Sequence, residues 1–248
     1  MVTSQRHRAG WAMALLASVS GASRGGAAGP ARKAPPAPGV YFEQTTQVFV
    51  DGAPAGTAVH SRVWQEGRRL RMEGGEGEGG PALLLRFDTG RAFRLDPAER
   101  TAQSLDLERL RTRSRADLAV AAEMLGSPTG VPTPLALPEE RTIAGHRCRG
   151  HRLTAGSLVM DVWAARDVPL GAEAFAEMLE WSGAAARLGP LMGALRKLSG
   201  FPLETHAVVE VLGQRVETLA TVSRLVLGRA PAGLFDVPAG YRVVEGEP

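Results

Sequence analysis

The densest group of potentially reactive side chains is His146-Arg147-Cys148-Arg149-Gly150-His151. Cys148 and His151 stand at C-x-x-H spacing, half of a zinc pattern. A structural zinc site takes four ligands, and no second pair lies nearby in sequence. On an extended strand His146 and Cys148 share one face and His151 points the other way, unless Gly150 forms a bulge. Arg141, Arg147, Arg149 and Arg152 would oppose a cation. The stretch reads as a strand crossing with a half-buried free thiol, and no metal ligand set is assigned.

A second candidate is Gly75-Glu76-Gly77-Glu78-Gly79-Gly80, which fits G-x-G-x-x-G. A dinucleotide fingerprint needs a following helix whose first amides receive the pyrophosphate. Here Pro81 and Ala82-Leu83-Leu84-Leu85-Arg86-Phe87 follow, a strand-like run, and Glu76 and Glu78 would repel phosphate. The segment reads as a hairpin loop. Nucleophile elbow, P-loop and H-E-x-x-H patterns are all absent. His60, His146, His151 and His206 could assemble a hydrolase or metal site only through the tertiary fold. Glu139-Glu140, beside prolines, read as a solvated loop. Arg109, Arg111, Arg113 and Arg115 alternate and would split over two sides of a helix. The expectation is a non-enzyme with no cofactor.

The elements that would position these residues come in blocks. Val40–Asp51, Thr57–Glu66, Arg68–Glu73, Ala82–Asp88, Arg91–Asp96 and Glu99–Leu105 read as strands, with Asp51-Gly52 and Thr89-Gly90 as turn signals. Asp106 reads as the N-cap of a helix to about Leu125. A loop with four prolines over Gly126–Pro138 follows, then strands at Arg141–Ile143, Cys148–Thr154 and Ser157–Ala165. Helices are expected at Ala172–Trp181 and Pro190–Leu198. The strands Leu203–Leu212 and Arg215–Leu225 surround a Gly213-Gln214 turn, and Leu234–Tyr241 is an extended tail. Strands and helices do not alternate, which argues against a parallel doubly wound sheet. The fold class expected is α+β, with one curved antiparallel sheet covering a few helices.

The chain has 248 residues, 44% of them hydrophobic and 5% aromatic, with a formal net charge of +3. That suits a packed core and excludes a wholly disordered chain. Only Lys33 and Lys197 are lysines, Ile143 is the sole isoleucine and asparagine is absent. Codons for these three residues are AT-rich, so the arginine excess reflects a GC-rich bacterial genome. The basic residues form no stripe or block, which argues against nucleic-acid binding.

The N-terminus reads basic, apolar, then small: Arg6-His7-Arg8, Trp11–Val19, and Ser20-Gly21-Ala22-Ser23. This is the order of a secretory signal peptide, with cleavage expected after Ala22 or, as a second option, after Ala28. Removing residues 1–22 takes away Arg6 and Arg8 and no acid, which brings the net charge to +1. The sole cysteine is Cys148, so no lipid-attachment cysteine follows the apolar run. The expected layout is a signal peptide over 1–22, a Pro/Gly/Ala-rich leader over 23–39 and one domain over 40–244. The mature chain is expected in the periplasm or secreted, with no transmembrane segment.

Several motifs carry a family likeness. They are Val63-Trp64 with Arg69–Met72, Arg94-Leu95-Asp96-Pro97, Ile143-Ala144-Gly145 followed by Cys148, Val162-Trp163-Ala164, and Phe235-Asp236-Val237-Pro238-Ala239-Gly240-Tyr241. In this order over residues 40–244 the chain resembles the LolA-like, lipoprotein-carrier-like superfamily. More narrowly it resembles an uncharacterised family of exported bacterial domains within it. The resemblance implies an incomplete antiparallel barrel around helices, with an acyl chain or other hydrophobic ligand held between them. Trp64, Leu84, Phe93, Trp163, Met178, Met192 and Leu195 fall on faces that should meet there. They are the candidate cavity residues, or the members of an ordinary core. Two functions follow: an exported carrier or sensor for a lipid or hydrophobic ligand, or a solid-core interaction protein that docks another envelope protein.

Overall fold

The structure is a computed structural model and describes residues 39–74, 80–109, 112, 132–182, 191–211 and 213–246. The expected signal peptide and nearly all of the leader, the 75–79 loop, most of the helix expected after Asp106 and the small-residue run 183–189 lie outside those residues. The described residues form thirteen strands: β1 (Val40–Val50), β2 (Ala53–Pro54), β3 (Val59–Glu66), β4 (Arg69–Gly74), β5 (Ala82–Arg86), β6 (Arg91–Asp96), β7 (Thr101–Asp106), β8 (Leu135–Ile143), β9 (His146–Ala155), β10 (Leu158–Ala165), β11 (Phe201–Val211), β12 (Gln214–Leu227) and β13 (Arg242–Glu245). Helix Ala172–Ser182 lies between β10 and β11, and residues 191–195 are also helical. The protein is therefore α+β on antiparallel ladders with few helices. Strands β8 and β13 are edges, so the sheet is open.

The chain groups into two units. One contains Val59–Leu107 and the described parts of Val19–Gln44 and Ser223–Pro248. Its meander β3-β4-β5-β6-β7 is antiparallel throughout. Residues directly opposite one another in such a ladder share a face. The pairings therefore draw two straight rows across five strands. Gln65, Leu70, Leu85, Ala92 and Leu105 lie on one face, and Trp64, Arg71, Leu84, Phe93 and Ser104 on the other. Gly90, at φ 69°, supplies the left-handed residue that the β5–β6 connection needs.

The tail adds one parallel pair to the otherwise antiparallel ladders. Leu234–Tyr241 crosses the second face and delivers Arg242 beside Thr101, where β7 begins. β13 and β7 consequently run in the same direction, with Arg242 opposite Thr101 and Glu245 opposite Ser104.

The other unit contains Thr45–Ala58 and the described part of Glu108–Val222. Its ladders pair β12 with β11, β11 with β10, β10 with β9 and β9 with β8, all antiparallel. Helix Ala172–Ser182 opens with Glu173 in its first turn, where the exposed amides favour an acid. It packs against β11, with the Phe175 and Phe201 rings meeting edge-on at 5.9 Å. Gly200 has φ 100°, and a Cβ there would stand 2.4 Å from the carbonyl oxygen of Ala165. Only glycine lets the chain come this close to β10 before Phe201 pairs with Ala165.

β8 begins at Leu135, inside the stretch expected to be a proline loop. A register shift between Ala136 and Glu140 takes up Pro138. Proline is tolerated there because β8 is an edge strand. Glu139 and Glu140 accordingly lie in a strand and not in a loop, and Glu140 binds both Arg147 and Arg149.

Candidate functional site

The row Gln65-Leu70-Leu85-Ala92-Leu105 is the most apolar surface the meander builds. Leu70, Leu85, Ala92 and Leu105 are all buried, as are Val63 and Phe42 of the same unit. Gln65 is the polar member of the row and is only 8% exposed. Its Oε1 is buried and finds no hydrogen-bond donor among the described residues. An amide oxygen left unmet among apolar side chains costs about 1–3 kcal/mol. Such a group calls for a specific explanation. Sequence reasoning missed Gln65, although the signal was present: it has the strand parity of Val63, so alternation turns it toward the core side.

The opposite face has a different chemistry. Tyr41 and Trp64 meet at a 40° tilt with centroids 4.7 Å apart, and the Arg224 guanidinium lies 5.7 Å from the Tyr41 ring. Tyr41 donates its hydroxyl to Glu43 at 2.6 Å. Burial, followed by the neighbouring Glu43 carboxylate, pushes the Tyr41 phenol up to about 12. The same hydrogen bond, then the Arg224 contact, holds Glu43 below its ordinary range despite some desolvation. Arg62 and Arg71 share Glu73 at 3.1 and 2.7 Å.

The tail covers the rest of this face. Arg71 donates to the Leu234 carbonyl at 3.1 Å, Arg86 pairs with Asp236 at 3.0 Å, and the Arg69 guanidinium sits 4.9 Å from the Phe235 ring centroid. Val237 and Tyr241 then pack with Phe93 on Ala82, Leu84, Leu95 and Ala102. Of the candidate cavity residues, Leu84 and Phe93 thus take neighbours from the protein's own tail, and Trp64 meets Tyr41 at a tilt.

Trp163, Met178, Met192 and Leu195 belong to the other unit. Met178, Met192 and Leu195 are buried in its helical segments, alongside Phe175, Ala176 and Leu191. Trp163 is buried on β10, opposite Gly150. The Arg141 guanidinium stacks 3.7 Å from its ring centroid and is itself held by Glu204 at 2.5 Å. A Cβ on Gly150 would come within 3.0 Å of the Leu137 Cβ and 3.1 Å of Trp163 Nε1. Gly150 thus permits the close packing of Leu137 and Trp163.

The His/Cys stretch resolves into separate contacts. His146 Nδ1 meets Asp167 Oδ2 at 2.8 Å, and this contact lowers the Asp167 carboxyl. Cys148 is fully buried rather than half-buried, and desolvation pushes its thiol up to about 11. His151 is held below its ordinary value by burial first, then by Arg166 and Arg149. The opposing arginines all have acid partners: Arg141 with Glu204, Arg147 and Arg149 with Glu140, and Arg152 with Asp161 at 2.6 Å. His206 meets Glu217 at 2.9 Å on β12. Among the described residues no group of three His, Cys, Asp or Glu side chains is placed to hold a metal ion. Among the same residues no helix is long and apolar enough to cross a membrane.

Residues 136–241 match the family described as a domain of unknown function, DUF4412. No curated protein matches the chain. Among solved structures, the chain is similar to PNGF-II at 12% identity and a TM-score of 0.36; the match covers 84% of this chain, which spans only 31% of PNGF-II. It is similar to an uncharacterized conserved protein from Thermus thermophilus at 10% identity and a TM-score of 0.44, covering 85% of this chain and 91% of that one. It is also similar to the LolA superfamily protein NE2245 from Nitrosomonas europaea at 12% identity and a TM-score of 0.31, covering 80% of this chain and 90% of that one.

Proposed function

We propose that the protein is an exported, non-enzymatic binding module, a carrier or sensor, that takes an acyl chain or comparable hydrophobic ligand. One observation carries the reading. The apolar face of the meander, built on Leu70, Leu85, Ala92 and Leu105, retains one buried side chain, Gln65, whose oxygen no described residue meets. A face that served only as core would be more stable with an apolar residue there. Within their own unit, Met178 and Met192, with Leu195, are proposed as adaptable apolar positions of the helical layer, since methionine refills irregular apolar space. The raised Cys148 thiol and the separate acid contacts of His146 and His206 favour binding over catalysis. Export rests on the order of charge, apolarity and small residues over 1–23.

The test is native mass spectrometry of the mature protein purified gently from its host, followed by titration of the delipidated protein with a fluorescent fatty acid. A stoichiometric bound lipid and saturable probe binding are expected. A lipid-free protein that shows no saturable binding overturns the reading. N-terminal sequencing of the same material checks export, with Ser23, or Gly29 for the second cleavage option, as the expected first residue.

The second reading, a docking protein of the cell envelope, is favoured by edge strand β8. Leu135 is 65% exposed there, and most of the strand faces solvent. An open edge of this kind pairs readily with another chain. Recovery of one stoichiometric envelope protein with no lipid supports it.

A further inference from the structure

The chemistry of the ligand can be narrowed from Gln65, an inference that rests on the hydrophobic-ligand reading above. Gln65 pairs directly with Leu70, and the row continues through Leu85, Ala92 and Leu105. Its amide oxygen is therefore set beside an apolar strip four residues long, on β3, which β1 flanks on its other side. Among the described residues, two other buried polar atoms also lack partners, Trp163 Nε1 and His151 Nε2. Trp163 Nε1 faces Gly150, where a Cβ would come within 3.1 Å, and Arg141 stacks on its ring. His151 is only partly buried. Among the described residues, Gln65 alone combines near-complete burial, an apolar row and an acceptor that no described donor meets.

We infer that the ligand of this face is an amphiphile with a hydrogen-bond donor at the head of its apolar chain, a hydroxyl or an amide N–H, which Gln65 Oε1 accepts. A ligand with acceptors only, such as an ether or a methyl ester, leaves the oxygen unmet and gains nothing from it. The mechanism is ordinary selectivity by a buried polar group: the matched donor recovers a hydrogen bond that the isostere lacking it cannot make.

The experiment is competition of 1-dodecanol and dodecyl methyl ether against a fluorescent fatty acid on the full mature protein. The two probes share the dodecyl chain and oxygen position, and the ether carries a methyl group in place of the hydroxyl proton, so the Gln65→Met comparison separates the donor from the added methyl. Wild type is expected to prefer the alcohol by about tenfold, the value of one net hydrogen bond. In Gln65→Met, a near-isosteric change, the preference is expected to fall to unity, with an apo Tm at or above wild type. Equal binding of the two probes to wild type, or preference for the ether, overturns the inference and leaves the hydrophobic-ligand reading standing. A preference for the alcohol that survives in a folded Gln65→Met overturns the assignment to Gln65. Failure of both probes and of the fatty acid to bind overturns the reading, and the inference with it.

Discussion

Arg71 donates from Nη1 to the carbonyl oxygen of Leu234 at 3.1 Å, across 163 positions of sequence, while its Nη2 holds Glu73 at 2.7 Å. One guanidinium thus fixes the start of the tail to the middle of the meander and orients an acid on its own strand. Lysine carries one compact charge and cannot span both partners. Arg71→Lys is expected to lower stability by about 1–2 kcal/mol in urea unfolding. Proteolysis in the tail should accelerate as well. A variant with wild-type stability and protection would show that the contact contributes nothing.

The packing of the tail on Leu84 predicts energetic coupling. Leu84 is fully buried, and Val237 packs on the same cluster. Leu84→Ala should cost about 2–5 kcal/mol and Val237→Ala about 1 kcal/mol. Because the two residues serve one cluster, the double variant should lose less than the sum, by at least about 0.5 kcal/mol. Strict additivity in a double-mutant cycle would place the tail elsewhere in solution.

Tyr41 and Glu43 predict a pH profile with two limbs. The Tyr41 phenol is raised from 10.0 to about 12, so the folded protein keeps a proton there that the unfolded chain releases. Stability from this group is complete below pH 10 and falls as pH climbs from 10 toward 12. Glu43 is depressed below 4.5, so its contribution is complete above pH 4.5 and is lost as pH falls through the lower folded value. Tyr41→Phe removes the alkaline limb of this pair. It also removes the hydrogen bond that is the main cause of the Glu43 shift, so the acid limb flattens too. Melting temperatures across both limbs for the two proteins provide the check; parallel curves would contradict the pairing.

Cys148 should be silent in the native state. It is fully buried, and its thiol is raised to about 11. Reaction with a thiol reagent near neutral pH needs both access and thiolate. Labelling is expected only on unfolding, at the rate the chain opens. Fast labelling of the folded protein would show the β9 strand to be open at this point.

Local chemistry made much of the secondary structure legible from sequence. Alternation and turn residues such as Thr89-Gly90 and Gly213-Gln214 gave the hairpins, because a strand's side-chain period and a turn's demand for positive φ are properties of a few adjacent residues. The helical spacing of Phe175, Met178 and Leu179 gave the helix that the structure places at Ala172–Ser182. What depends on distant partners was not legible. Pro138 argued for a loop until an edge position made a strand tolerable. Glu140 became an ion-pair hub only once β9 lay beside it. The tail's parallel pairing with β7 depends on where the chain arrives after crossing a face, which no local pattern encodes. Leu84 and Phe93 announced their apolarity in the sequence, but whether they meet a ligand or Val237 and Tyr241 is decided by a distant segment at the other end of the chain. Gln65 shows the division most plainly. Its strand parity was written in the sequence, whereas the lack of any donor for its oxygen emerged only when every described neighbour had taken its place.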